Sequence, residues 1–109
     1  MRHSSHKQMP LLQKWLHVYY LSGKLSFETV PFLWKQSQSI LYASHLEGEA
    51  YIFDLVAVTH SDSSGVALLI AWTRDLRRRS QTIHFVHLPQ QMLAIIQLAG
   101  LETIMPITM

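Results

Sequence analysis

Apolar and polar positions along the 109 residues follow two different periods, and each change of period marks an element. Leu16 to Leu21 is dense in β-branched and aromatic residues and is followed by Ser22-Gly23, a turn signal. This predicts a strand, preceded by a short edge strand over Leu11 to Trp15. The period then changes: Phe27, Val30, Leu33, Trp34, Ile40 and Leu41 fall at helical spacing, with Lys35, Gln36 and Gln38 on the other side. Pro31 fits a helix that begins just before it, because the first turn has N–H groups without intrahelical acceptors. The polar break Glu47-Gly48-Glu49 puts the end of this helix near His45.

Ala50 to Leu55 is a short apolar run, the pattern of a strand covered on both faces, and Val56 to Ser61 reads as a loop leading out of it. At Ser63-Ser64-Gly65 small polar residues give way to Val66 through Trp72 and then Thr73 to Arg79, a second helix. The serines are natural N-caps, and Arg77-Arg78-Arg79 complements the negative end of the helix dipole. Wound at about 100° per residue, Val66, Leu69, Ile70, Thr73 and Leu76 form the face expected against the sheet. Leu68 falls well off that face and Trp72 lies at its flank. Thr82 to His87 alternates as a third long strand. Pro89 opens a helix carrying Met92, Leu93, Ile96 and Ala99, which Gly100 ends, and Leu101 to Ile107 holds a short closing strand. This alternation predicts an α/β domain with a mixed, mostly parallel sheet and helices packed against it. Residues 1–10 read as a polar tail and residues 11–109 as the domain.

Composition narrows the function more than the fold. A chain that is 49% hydrophobic and 15% charged is a packed globular one. Nine basic against seven acidic residues, for a net charge of +2, leave no basic stripe of the kind that nucleic acid requires. With no cysteine there is neither a disulfide nor a thiolate metal site, which suits a reducing compartment. No apolar run approaches the roughly 20 residues that span a bilayer, and Met1 to Gln8 is not followed by a signal-peptide core. A cytoplasmic chain without direct membrane insertion is therefore expected.

Histidine is the first place to look for catalysis. His3, His6, His17, His45, His60, His84 and His87 show no metal-binding spacing of the HExxH kind. His84 and His87, three apart on a strand, point to opposite faces. Surface or structural roles are expected for all seven, with no metal and no cofactor. Ser61-Asp62-Ser63-Ser64-Gly65 lacks the first glycine of a G-x-S-x-G nucleophile elbow, and no phosphate-cradling glycine loop is present. The chain is expected not to be an enzyme.

The Asp62-Ser63-Ser64-Gly65 turn is open to two readings. It is either an ordinary N-cap followed by a glycine, or a small polar surface that a partner approaches closely. A phosphate on Ser63 would add about −1.5 to −2 charges at the positive end of the helix dipole, with Asp62 repelling it from the side. The helix behind has two readings as well. Leu68 beside Trp72 off the core face is an interaction surface, since tryptophan is enriched at binding hot spots, unless another helix covers both.

The stretch Asp54-Leu55, Val58 and Asp62-Ser63-Ser64-Gly65-Val66-Ala67-Leu68-Leu69 resembles the signature of the STAS domain, the sulfate-transporter and anti-sigma-factor-antagonist family. Leu21-Ser22-Gly23-Lys24-Leu25 through Val30 is similar to that family's strand end and first helix. Leu88-Pro89, Leu98-Ala99-Gly100-Leu101 and Ile104 resemble its last helix and closing strand. The likeness runs from about Leu16 to Ile107 with the motifs in the family's order. Within the family, Phe27 to Trp34, Ala67 to Trp72 and Leu88-Pro89-Gln90 are similar to the stand-alone subunit of a bacterial phospholipid ABC transporter.

This resemblance implies a non-catalytic cytoplasmic protein that binds the transporter's ATPase subunit and, through it, the membrane permease. It implies a contact at Ser63 and along Ser64 to Thr73, including Leu68 and Trp72, with Asp62 and Gly65 completing the turn. One departure opens an alternative. The transporter-type pattern has Thr-Gly where this chain has Ser63-Ser64, and Ser-Ser is closer to the anti-sigma-factor antagonists. Their matching serine is phosphorylated by a partner kinase, which makes Ser63 the candidate phosphorylation site.

Overall fold

The computed structural model describes residues 9–16, 18–42 and 50–108. Its elements run β1 (Leu11–Trp15), β2 (Val18–Leu25), α1 (Val30–Tyr42), β3 (Ala50–Ser61), α2 (Ser63–Arg78), β4 (Thr82–Val86), α3 (Gln90–Leu98) and β5 (Ile107–Thr108). They form one five-stranded sheet in the order β1-β2-β3-β4-β5. β1 pairs antiparallel with β2, and every later pair is parallel. The mixed, mostly parallel α/β sheet expected from the alternation is the one observed.

A parallel sheet whose strands follow chain order has one consequence for its layers. Crossovers of the usual right hand deliver each helix to the same face. Burial along the strands agrees, because Tyr19, Leu21 and Leu25 on β2, Tyr51, Phe53 and Leu55 on β3, and Ile83 and Phe85 on β4 are buried while their neighbours are not. The reading of Ala50 to Leu55 as a strand covered on both faces is therefore corrected: its far face carries the half-exposed Ile52 and Asp54. Phe53 sits at the centre of the core. Its ring centroid lies 5.3 Å from Tyr19, 4.8 Å from Trp72 and 5.7 Å from Phe85.

Several boundaries differ from expectation. Leu16 lies in the β1–β2 turn with φ of 58°, not in a strand. Ser22-Gly23 is no turn; it lies inside β2, where Gly23 has φ of +90° beside a shift of register against β3. The carbonyl of Met9 and the Cα of Pro10 pass over Gly23 so closely that a Cβ has no place there. Nor do Val56 to Ser61 form a loop, since β3 continues through them and pairs with Ser22 to Leu25 of β2. Phe27 precedes α1 instead of lying on its apolar face, and Ala99, read as part of the α3 apolar set, is exposed at the C-cap. Pro31 falls in the first turn of α1, and Gly100 ends α3 with φ of +70°, both as expected. The expected helix end near His45 and the Glu47-Gly48-Glu49 break lie outside the described residues, as do Met1 to Gln8 and His17.

Candidate functional site

The end of β3 delivers the chain directly into α2. Asp62 is the N-cap, with extended backbone at φ −100° and ψ −167°. The expectation that the serines cap this helix is corrected, because the capping acceptor is the Asp62 carboxylate, one residue earlier. Its Oδ1 accepts from the Ser64 N–H at 2.7 Å, and its Oδ2 accepts from the Phe27 N–H at 3.3 Å. The Asp62 N–H in turn donates to the Leu25 carbonyl at 3.1 Å. One side chain thus ties the N-terminus of α2 to the segment leaving β2, at the carboxyl end of the parallel strands where α/β sheets present their sites.

The same contacts set the charge of the turn. Burial pushes the Asp62 carboxyl towards a higher pKa, but the Ser64 and Phe27 N–H groups, the Ser64 hydroxyl and the Gly65 N–H outweigh it. The net result lies below the ordinary carboxylate value, so Asp62 is anionic at neutral pH.

Ser63 is exposed on the first turn of α2, and Ser64 is half-buried. Gly65 is buried. A Cβ there would overlap the Ser61 hydroxyl and come within 3.0 Å of the Met92 methyl and 3.1 Å of the Leu25 Cβ. Gly65 therefore belongs to the packing of α2 against β2 and α3, not to a contact surface, as the expectation had it.

The helix behind the turn brings a second correction. Leu68 is 2% exposed and Trp72 is 0% exposed. Of the two readings open for Leu68 off the core face and Trp72 at its flank, the one in which another helix covers both is observed, not the interaction surface. α2 is the middle helix and touches both α1 and α3, so its flanks are covered along with the face on the sheet. The Trp72 Nε1–H donates to the Ser37 hydroxyl on α1 at 2.9 Å, and that hydroxyl donates to the Trp34 carbonyl at 2.7 Å. Thr73 is also buried, its hydroxyl donating to the Leu69 carbonyl at 2.8 Å. The solvent side of α2 carries Ser63, Ala67 and Arg74 instead.

Two features escaped sequence reasoning. Phe27 is 81% exposed and stands beside the Asp62 turn through its own N–H. Helical spacing concealed it, although Ser26 and Thr29 carried a signal: the Thr29 hydroxyl accepts from the Ser26 N–H at 2.9 Å and donates to the Lys24 carbonyl at 2.7 Å, closing a turn before α1. The second is the pair of His87 Nδ1 and Asp54 Oδ1 at 3.0 Å, which joins the end of β4 to the middle of β3. Asp54 Oδ1 also accepts from the Val56 N–H at 2.9 Å.

The sequence and the fold have matches among known proteins. The family model described as "Mlab, STAS domain" matches residues 17–107. The chain belongs to the STAS domain family. The intermembrane phospholipid transport system binding protein MlaB of Haemophilus influenzae is 33% identical over 83 residues, which are 76% of this STAS chain and 79% of that one. Among solved structures, a chain of the Acinetobacter MlaFEDB complex in its ATP-bound Vtrans2 conformation superposes with a TM-score of 0.72 at 25% identity. That match covers 90% of this chain and all of the other. An anti-sigma factor antagonist from Mycobacterium paratuberculosis superposes at 0.69 with 24% identity, covering 90% and 82%, which speaks for a shared STAS fold alone.

Proposed function

We propose that this chain is the STAS subunit of a phospholipid ABC transporter, a non-catalytic cytoplasmic protein that binds the transporter's MlaF-like ATPase at the Asp62 end of α2 and reaches the permease through it. The observation that carries the reading is the likeness to MlaB of H. influenzae over most of both chains, joined by the full coverage of a chain in the MlaFEDB complex. The turn is suited to the contact. Ser63 offers an exposed hydroxyl, Asp62 caps the turn that carries it, and Phe27 supplies an aromatic anchor beside that turn. Leu68, Trp72 and Thr73 act from beneath by holding α2 in place. No helix among the described residues is long and apolar enough to cross a membrane, which fits attachment through a partner.

The second reading, an anti-sigma-factor antagonist switched on Ser63, draws on the exposure of that hydroxyl and the fold shared with an antagonist. The anionic Asp62 carboxylate, adjacent to the hydroxyl, weighs against a doubly charged phosphate there.

Affinity purification of the full chain from its own cells, followed by mass spectrometry of intact protein and partners, separates the two. An ABC ATPase should co-purify with unphosphorylated protein. Recovery of a serine kinase alone, with phosphate on Ser63, overturns the transporter reading. In a binding assay with the recovered ATPase, Ser63→Ala should be mild, whereas Ser63→Glu and Phe27→Ala should each weaken binding about tenfold or more.

A further inference from the structure

The arginines of α2 are not equivalent. Arg78 and Arg79 both lean on Asp75, at 3.8 and 3.9 Å. Arg74 and Arg77, one turn apart and so on one face of the helix, have no ion pair among the described residues. Both line a groove of about 620 Å³ between the second half of α2 and the segment that follows α3. That volume is within the range of small-molecule sites.

Arg78, which leans on Asp75, and Thr73 also line it, and the rest of the lining is apolar: Ile70 on α2, with Leu101, Ile104 and Met105 opposite. The backbone there is already committed. The Leu101 N–H donates to the Ile96 carbonyl at 2.9 Å, and the Ile104 and Met105 N–H groups donate to the Leu101 carbonyl at 3.1 and 3.0 Å. The Thr73 hydroxyl is spent on the Leu69 carbonyl. An extended peptide laid in the groove would bury its own amides with few partners, at about 1–3 kcal/mol for each unpaired group. The complementary molecule has one anionic end, suited to the guanidinium forks, and a body that asks for no hydrogen bonds.

We propose that this groove binds a single-chain amphiphile with an anionic head, Arg74 and Arg77 holding the head and Ile70, Leu101, Ile104 and Met105 the chain. This does not rest on the ATPase reading: on a helix rising about 1.5 Å per residue, Arg74 and Arg77 lie roughly 17 and 21 Å from Ser63.

Calorimetric titration of the full chain with monododecyl phosphate, kept below its micellar concentration, is the test. Saturable binding to one site is expected, with decyl phosphate weaker by about fourfold for each methylene removed and no saturation by inorganic phosphate alone. The double variant Arg74→Gln/Arg77→Gln should lose at least about tenfold in affinity with an unchanged near-UV circular dichroism spectrum. Equal binding of dodecyltrimethylammonium, an unchanged affinity in the double variant, or insensitivity to chain length would each overturn the proposal. So would binding of an acidic amphipathic peptide at the groove where dodecyl phosphate fails to bind.

Discussion

Trp72→Ala should remove a large share of the domain's stability rather than a surface contact. The indole is fully buried, tilted 49° against Phe53 at 4.8 Å, and its N–H is paired with Ser37. Truncating a buried aromatic of this size costs about 3–5 kcal/mol, against a total of about 5–15 kcal/mol for a typical domain. The melting temperature should fall by at least about 12 °C at about 4 °C per kcal/mol. Trp72→Phe keeps most of the ring packing and removes the donor. Ser37 still donates to the Trp34 carbonyl, so the loss should be nearer to about 1–2 kcal/mol. Ser37→Ala strands the indole N–H in the core, at about 1–3 kcal/mol. Urea titration followed by far-UV circular dichroism measures all three, and the Trp72→Phe/Ser37→Ala cycle should return a coupling of about 1 kcal/mol. A Trp72→Ala protein with an unchanged urea midpoint and lost partner binding would refute the reasoning and return Trp72 to the surface.

Gly65→Ala should cost about 1–3 kcal/mol, because the Ser61 hydroxyl, the Met92 methyl and Leu25 leave no room for a methyl group. Adding Ser61→Ala should recover part of that loss in the urea midpoint, and no recovery would mean that the strain lies elsewhere. Asp62→Ala should cost about 1 kcal/mol through the lost N-cap, whereas Asp62→Asn, a comparable cap without charge, should cost less at neutral pH. The folded Asp62 carboxyl titrates below its unfolded value of about 4, so its charge-dependent stabilisation is complete above that pH and is lost as pH falls through the folded pKa. The stability difference between the wild type and Asp62→Asn should therefore shrink below about pH 4 in urea titrations. A constant difference would show that the carboxylate charge contributes nothing to the cap.

Much of this protein can be read locally. Helical spacing and the Pro31, Pro89 and Gly100 signals marked α1, α2 and α3, and alternation marked β4. The order of these elements implied the parallel sheet, while the Asp62-Ser63-Ser64-Gly65 turn and its flanking motifs pointed to the STAS family. Strand ends were harder. Beyond Leu55, β3 carries exposed Val56, Ala57, Thr59 and His60, a composition indistinguishable from a loop until β2 supplies its hydrogen-bonding partner. Gly23 likewise looks like a turn until the chain at Met9 and Pro10 is seen crossing it.

The turn at residues 62–65 and the helix it starts were thus determined by the sequence itself, because helix initiation depends on groups within a few positions of one another, although the capping residue is Asp62 and not a serine. Tertiary structure alone decided which of those residues face outward. Periodicity describes a helix lying on a plane, but α2 lies between two other helices, which draws Leu68, Trp72 and Gly65 inward. It also decided that Phe27 stands exposed beside the turn and that Arg74 and Arg77 overlook an apolar groove. Each of these arrangements joins segments far apart in the chain, and no local pattern records the neighbour.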